Sequence, residues 1–173
     1  MTDTAIATAT DQEAEPRPRR KPLLVLALVV VVLGAVGYLG WQLRQEHAAA
    51  QARAGALEAA RTYATDLSTY DFNSLDRNFA AVTANSHGQF AEQYRQISAG
   101  LTELIKQNRA VSQGSVLSAG IVESDQARAV VALFVDQQIT NVNTPQPRID
   151  RNRMQMTLVQ VDDRWLIDDI KLL

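Results

Sequence analysis

The strongest pattern in the chain is an uninterrupted apolar run near its beginning. Residues 23–41 contain no charged side chain and begin LLVLALVVVVLG. About 20 apolar residues in a helix cross the ~30 Å hydrocarbon core of a bilayer, and a helix pairs its own backbone groups there. We therefore predict one transmembrane helix over residues 22–43, with Tyr38 and Trp41 at the far interface, where amphipathic rings concentrate.

The charges on either side of the run predict its orientation. Four cations precede the run within residues 17–21, whereas Arg44 and Glu46 follow it with little net charge. Because cations favour the cytoplasmic side, we expect the N-terminus in the cytoplasm and the domain after residue 43 in the extracytoplasmic envelope. A cleaved signal peptide is the alternative, but its apolar region is shorter, about 7–15 residues, and leads directly into a small-residue cleavage site.

The segments on each side of the predicted span differ in composition. Residues 1–21 are small, polar and acidic before their basic cluster, and such a segment is predicted to be a disordered cytoplasmic tail. Residues 44–70 are predicted to form one long helix. Its part over residues 44–60 is rich in alanine and has little to bury, so we predict a helical stalk there. Apolar residues at three- and four-residue steps then predict two further helices, one beginning near Leu75 and one running from Phe90 to about Asn108.

Beyond the helices the apolar pattern changes to the period of a strand. Four segments alternate or are rich in valine and phenylalanine: 116–122, 129–139, 153–158 and 164–172. Residues 141–148, with two prolines, are predicted to form a loop. Helices followed by consecutive antiparallel strands indicate an α+β domain over residues 61–173, with about three helices packed on one face of a curved four-stranded sheet.

Charge and cysteine content narrow the possible functions. The net charge is −2, so the surface has no electrostatic attraction for nucleic acid, and we set that class of partner aside. The chain has no cysteine, which excludes disulfides and thiolate metal sites. There is also no glycine-rich phosphate loop and no Gly-x-Ser-x-Gly nucleophile turn.

Several short stretches together resemble the Mce-associated membrane proteins of actinobacteria. They are the basic tail before a single membrane helix, Tyr70-Asp71 after the first soluble helix, Phe134-Val135-Asp136-Gln137 in a central strand, and the run from Val161 to Ile167. The last hairpin departs from the usual pattern, because Asp163 stands where that family commonly has glycine. Asp163 must then adopt a left-handed backbone conformation.

The resemblance implies both a fold and a function. The fold is a nuclear-transport-factor-2-like (cystatin-like) cone, which also occurs in the periplasmic domain of an assembly component of type IV secretion systems. The implied function is that of a non-enzymatic accessory protein, which helps assemble or stabilise an Mce-type lipid or sterol import complex and contacts its Mce subunits or permease. Two alternatives stay open: a lipid- or sterol-binding module that uses the cone cavity, and an assembly component of a secretion system.

Aromatic residues are the candidates for lining such a cavity. The seven candidates are Tyr63, Tyr70, Phe72, Phe90, Tyr94, Phe134 and Trp165. Their spacing is equally typical of ordinary core packing. Acid–base chemistry in the cavity would need a buried aspartate and a tyrosine donor, for which Tyr63 or Tyr94 with Asp136 is the conceivable combination. No such pair is identifiable from the sequence alone, so we predict no catalytic residue and no cofactor.

The remaining candidate ligands do not form a recognisable metal site. His47 and His87 have no metal-ligand spacing, and both are expected at the surface. Asp162-Asp163 and Asp168-Asp169 together offer four carboxylates. The first pair fits a hairpin turn and the second a solvated strand edge, so the sequence predicts no bound metal.

Overall fold

The computed structural model describes the backbone of residues 20–173 and, except at residue 145, the side chains of residues 32–173. Residues 44–173 form one compact unit, and the described residues before Arg44 belong to another. The predicted tail and the first part of the predicted span fall outside the described side chains. Within the part of the chain that is described, no helix is long and apolar enough to cross a membrane.

Helix α1 (Arg20–Ser68) contributes a row of alanines to the larger of the two hydrophobic clusters, which we call the main core. Ala56, Ala60 and Ala64 recur every fourth residue, and each is completely buried. The sequence predicts a stalk with little to bury over residues 44–60, and for the second half of that segment the prediction is wrong. A row of small side chains allows the helix to lie close against a sheet, so these alanines are core residues.

Two shorter helices follow α1, as the sequence predicts. Helix α2 (Leu75–Ala84) begins after a turn in which the Asp71 carboxylate accepts a hydrogen bond from the Asn73 N–H at 2.8 Å. Helix α3 (Gly88–Gln107) is an amphipathic helix. The start of α2 and the end of α3 meet in a small second core cluster, formed by Leu75, Ile105 and Ala110.

The sheet has five antiparallel strands that lie side by side in chain order. They are β1 (Tyr70–Asp71), β2 (Val111–Ser124), β3 (Arg128–Asn141), β4 (Thr144–Val161) and β5 (Arg164–Leu172). The sequence predicts only four of them. Strand β1 has two residues, paired with Ser112 and Val111, and two residues are too few to display a strand period.

Strand β4 begins within the segment that the sequence predicts to be a loop. It pairs with β5 only from Met154 onward, so residues 144–153 have one open edge. On its other edge the pairing with β3 is interrupted between Thr144 and Arg148, so the two prolines there have no ladder partner, which explains how a segment with prolines continues the strand.

The inner face of the sheet forms most of the main core. Val131, Leu133 and Val135 alternate along β3 and are almost fully buried, and Met156 and Leu158 do the same on β4. Two bulges in β2 bend the sheet, because the pairing with β3 skips Leu117 and then Val122.

Candidate functional site

A cleft of about 410 Å³ lies between the end of α1, helix α3 and the inner face of β3, β4 and β5. We call it the central cleft. Its apolar lining consists of Leu67, Phe90, Tyr94, Met154, Ile170 and Leu172. Its polar lining consists of Ser68, Gln137 and Asn152. Clefts of this size, apolar with a few polar groups, are the usual form of a small-molecule site.

Two stacked rings form the wall of the cleft on α3. Phe90 and Tyr94 are one helical turn apart, and their ring centroids lie 6.1 Å apart at an angle of 29°. Phe79 of α2 also packs edge-on with Tyr94, with centroids 6.2 Å apart. The Tyr94 ring is therefore held in place by its neighbours rather than free to swing.

Among the described residues that line it, the central cleft contains no side chain that is ionised near neutral pH. Tyr94 is the only titratable residue of this lining, and burial raises the pKa of the Tyr94 phenol to about 12. The phenol is thus neutral and keeps its O–H as a donor. Any part of a ligand that enters this cleft must be uncharged, because no opposite charge offsets its loss of water.

A hydrogen-bonded network builds the polar side of the cleft. The Gln137 amide donates to Ser112 Oγ at 2.8 Å and to the Ser68 carbonyl at 3.2 Å. Ser112 Oγ donates to the same carbonyl at 2.7 Å, and the Asn152 amide donates to Gln137 Oε1 at 3.1 Å. The network ties the C-terminus of α1 to β2, β3 and β4.

The structure brings only two of the seven predicted cavity residues, Phe90 and Tyr94, into the central cleft. The Tyr63 hydroxyl instead donates to the Trp165 carbonyl at 2.7 Å, and burial raises the Tyr63 pKa above its usual value. The Trp165 ring is a core residue that packs beside Gly55.

The other predicted cavity residues lie elsewhere. Tyr70 and Phe72 pack against the second core cluster, and burial raises the Tyr70 pKa while a hydrogen bond with Ser112 opposes the rise. Phe134 is 47% exposed on the outer face of the sheet. It alternates with buried Leu133 and Val135, and side chains of successive strand residues point to opposite faces.

The structure does not bring Asp136 together with Tyr94, one of the two conceivable acid–base combinations. Asp136 lies next to Val135 in β3 and therefore belongs to the outer face, where it lines a shallow depression with Leu117 and Ile149. Tyr94 lies on the inner side of the same sheet. Sequence reasoning also missed the aliphatic and amide residues of the cleft, because one or two residues from each of four elements carry no shared sequence pattern.

The histidines and the acidic pairs occupy exposed positions. His87 Nδ1 lies 3.3 Å from Asp168 Oδ1 at the surface, and His47 is exposed on α1. Asp162 and Asp163 form the β4–β5 turn with φ of 47° and 61°. Over the side chains that the structure describes, no three potential ligands cluster for a metal ion.

The outer face of the sheet carries three separate exposed apolar side chains, which we together call the outer patch. It consists of Leu117, Phe134 and Ile149, exposed by 61%, 47% and 57% respectively. The Arg153 guanidinium lies 5.9 Å from the Phe134 ring centroid. Exposed apolar groups with polar surroundings are typical of protein–protein contact surfaces.

Comparison with protein families identifies the chain's relatives. The family model described as uncharacterized protein Rv1363c/MT1408-like matches residues 21–169. The chain belongs to this family. In Mycobacterium tuberculosis H37Rv, the uncharacterized protein Rv1362c is 31% identical over 145 residues, which cover 80% of this chain and 66% of that protein. Outer membrane protein Rv1973 is 30% identical over 136 residues, which cover 78% of this chain and 84% of that protein.

Solved structures share the fold at low sequence identity. CagV, a VirB8 homolog of the type IV secretion system from Helicobacter pylori, has a TM-score of 0.54 and 16% identity, covering 69% of this chain and 96% of CagV. The periplasmic domain of DotI has a TM-score of 0.58 and 12% identity, covering 68% of this chain and 91% of that domain. The predicted α+β fold is confirmed. The chain spans slightly less than two thirds of Rv1362c.

Proposed function

We propose that this chain is a non-enzymatic, membrane-anchored accessory protein of the cell envelope. In this proposal its folded domain docks onto an Mce-type lipid or sterol import complex and helps to assemble or stabilise it. The outer patch is the observation that carries the proposal. A partner that covers this face of the sheet would remove all three exposed apolar side chains from water.

The lack of charged groups among the described residues of the central cleft supports a non-enzymatic role. General acid–base catalysis needs a group whose pKa lies near the working pH. Tyr94 titrates near 12, and the described lining includes no carboxylate or histidine. CagV, the VirB8 homolog named above, belongs to a type IV secretion system, which is an assembly rather than an enzyme.

The membrane anchor in this proposal is the span over residues 22–43, with the N-terminus in the cytoplasm. Val32, Leu33, Val36 and Leu39 belong to that segment, and each is more than half exposed on α1. Helical apolar side chains exposed in this way are stable when lipid surrounds them. A periplasmic domain among the structural relatives and an outer membrane protein among the sequence relatives support an envelope location.

Single cysteines test the anchor, because the chain has none of its own. In intact spheroplasts, a membrane-impermeant maleimide is expected to label Gln138→Cys, whereas Ala9→Cys is labelled only after lysis. Labelling of Ala9→Cys from outside would contradict the orientation. A mature chain that lacks residue 9 would show that the apolar run is a cleaved signal.

Affinity purification in mild detergent tests the docking role. The tagged full chain is expected to recover Mce subunits or their permease from envelope membranes. Phe134→Ser removes the one aromatic ring of the outer patch and is expected to reduce that recovery at least about tenfold, a change of about 1.4 kcal/mol in binding. Glu103→Ser is the matched control, since Glu103 is exposed on α3, away from the sheet.

The same purification separates the competing assignments. Recovery of secretion-system subunits in place of Mce subunits would favour an assembly component of a secretion system, as the structural relatives suggest. Repeated recovery of the chain alone, from membranes in which the Mce complex is intact, would refute the docking role.

The central cleft supports a second candidate, a lipid- or sterol-binding module. Its walls are apolar, and its polar groups are a neutral phenol and two amides. These groups suit a ligand with an uncharged apolar body and a hydroxyl or carbonyl group, because each polar atom can be paired without a buried charge.

Native mass spectrometry of residues 44–173, which contain both core clusters, tests this candidate. The expected result is a bound neutral lipid, lost in Leu172→Asp, because Leu172 lines the cleft and a charge there opposes an apolar ligand. Leu173→Asp is the control, since Leu173 is equally exposed and does not line the cleft. Consistently empty spectra, or equal binding by both variants, would exclude the cleft as the site.

A further inference from the structure

Helix α3 carries an apolar row that continues beyond the central cleft. Phe90, Ile97 and Leu104 follow one another at seven-residue steps, and Tyr94 and Leu101 share the same step. Seven residues make almost two helical turns, so these side chains lie along one side of the helix. Phe90 and Tyr94 line the cleft, but the later members of the row have no such cover.

The uncovered part of this row is exposed to solvent. Ile97, Leu101 and Leu104, which we call the α3 row, are exposed by 59%, 42% and 57% respectively. Gly100 lies beside them, and a Cβ built there meets no atom within 4 Å. The α3 row is thus a set of three apolar projections next to a notch.

The charges of α3 lie on the other side of the helix. Glu92, Arg95, Glu103 and Lys106 all project more than a quarter-turn away from the α3 row at 3.6 residues per turn. Arg95 and Glu92 neutralise each other in an ion pair of 2.7 Å. The border of the row beside Gly100 includes two uncharged glutamines, Gln93 and Gln107, and the Gln107 amide donates to the Glu103 carboxylate at 2.9 Å.

We propose that the α3 row is a self-association surface, which pairs with the α3 row of a second copy of this chain in antiparallel orientation. A two-fold axis between Gly100 and Leu101 places Ile97 of one copy opposite Leu104 of the other. It also places Leu101 of each copy against the Gly100 notch of its partner. A two-fold contact requires a patch that complements itself, and this arrangement satisfies that condition at every apolar position.

The charge pattern favours a second copy over a lipid surface. Helices that lie on membranes carry lysine and arginine on the polar face and at its borders, where they reach the headgroups. The α3 row is instead bordered by glutamine and glycine, which neither attract anionic lipid nor repel an identical helix. Glutamine side chains both donate and accept hydrogen bonds, so the same border suits two identical copies.

The size of the row determines the strength of the contact. A stable interface buries at least about 1,200 Å² of surface in total. The contact between two α3 rows buries only three side chains from each copy, which is a smaller area. The dimer is therefore weak and depends on protein concentration. The contact uses α3 and leaves the outer patch on the opposite side of the sheet free, so it stands independently of the docking role proposed above.

Cysteine cross-linking of the full chain in detergent tests the pairing and its orientation. A short bismaleimide is expected to join Leu101→Cys to itself, near the axis, and to join Ile97→Cys to Leu104→Cys when the two variants are mixed. Ile97→Cys alone is expected to give little dimer. Glu103→Cys, on the charged side of the same helix, is the control for copies that merely share a micelle.

Sedimentation of the full chain over a range of concentrations provides the second measurement. Leu101→Glu places a charge at the axis and is expected to raise the dimer dissociation constant at least about tenfold. Efficient Ile97→Cys self-cross-linking would overturn the antiparallel orientation. Equal cross-linking at Glu103→Cys, or a monomer at every concentration with Leu101 intact, would overturn the proposal. Binding of the α3 row to vesicles or to another protein only, with no dimer, would do the same.

Discussion

Replacing Gly114 by alanine is expected to destabilise the domain strongly, because α1 crosses β2 at this glycine. A Cβ built on Gly114 collides with Ser68 Cβ, and it lies only 3.2 Å from the Ser68 carbonyl carbon and the Thr65 oxygen. Two of these three atoms are backbone atoms near the end of a helix, so they cannot move aside as a flexible side chain would. The Gly114 N–H also donates to Thr69 Oγ1 at 3.1 Å.

The magnitude follows from the cost of overpacking. Forcing an extra carbon into a packed region costs about 1–3 kcal/mol of stability. Because two of the contacts are with backbone atoms, we expect Gly114→Ala to lower the free energy of unfolding by about 3 kcal/mol. For a domain of this size such a loss lowers the melting temperature by roughly 10 °C. Urea and thermal unfolding of residues 44–173, followed by circular dichroism, measure both quantities.

Gly120→Ala on the same strand is the matched control. A Cβ at Gly120 meets nothing within 4 Å, so its substitution is expected to change the free energy of unfolding by less than about 0.5 kcal/mol. Equal stability of the two variants would refute the close approach of α1 to β2. It would also question the position of Ser68, on which the polar side of the central cleft depends.

Three further predictions concern single residues. Asp163→Gly is expected to stabilise the domain by about 0.5–1 kcal/mol in urea unfolding, because φ of 61° suits glycine better than aspartate, and a loss of stability would contradict the turn geometry. Burial raises the pKa of Tyr94 to about 12, so its contribution to stability is complete below pH 10 and is lost as the pH rises toward 12. Tyr94→Phe should remove this fall of stability with rising pH. It should also remove the phenol transition at the highest pH in an absorbance titration, and a titration unchanged by the substitution would refute the burial of Tyr94. Backbone hydrogen bonds from Ala127 and Arg128 hold the pKa of Asp125 below its usual 3.8, so stability should fall as the pH drops through and below that value, less steeply in Asp125→Asn than in the native chain.

The sequence predicted the elements that show a long period and missed those set by tertiary contacts. Helices α2 and α3 and the order of the long strands followed from apolar spacing alone. The two residues of β1 pair only because the end of α1 delivers them to β2, and such a short strand has no period. The alanines of α1 looked too small to form a core, yet small side chains are what a closely packed helix needs.

The candidate site was less predictable than the fold. Large size makes aromatic residues candidates for a cavity wall, but Phe134 points outward because it alternates with buried neighbours in β3, and Tyr63 is held by the Trp165 carbonyl. Most residues that shape the central cleft are aliphatic and amide side chains from several elements. Gln137 belongs to the stretch Phe134-Val135-Asp136-Gln137, but its role requires Ser68, which lies 69 residues earlier in the chain.

Photo-cross-linking in living cells tests the docking account most directly. A photoreactive amino acid replaces Phe134 in the outer patch, and a second variant carries it at Glu103 as the control. The account predicts that the Phe134 position yields adducts with Mce subunits or their permease and that the Glu103 position does not. Adducts only with secretion-system subunits, or none at Phe134 while the chain is folded in the envelope, would contradict it.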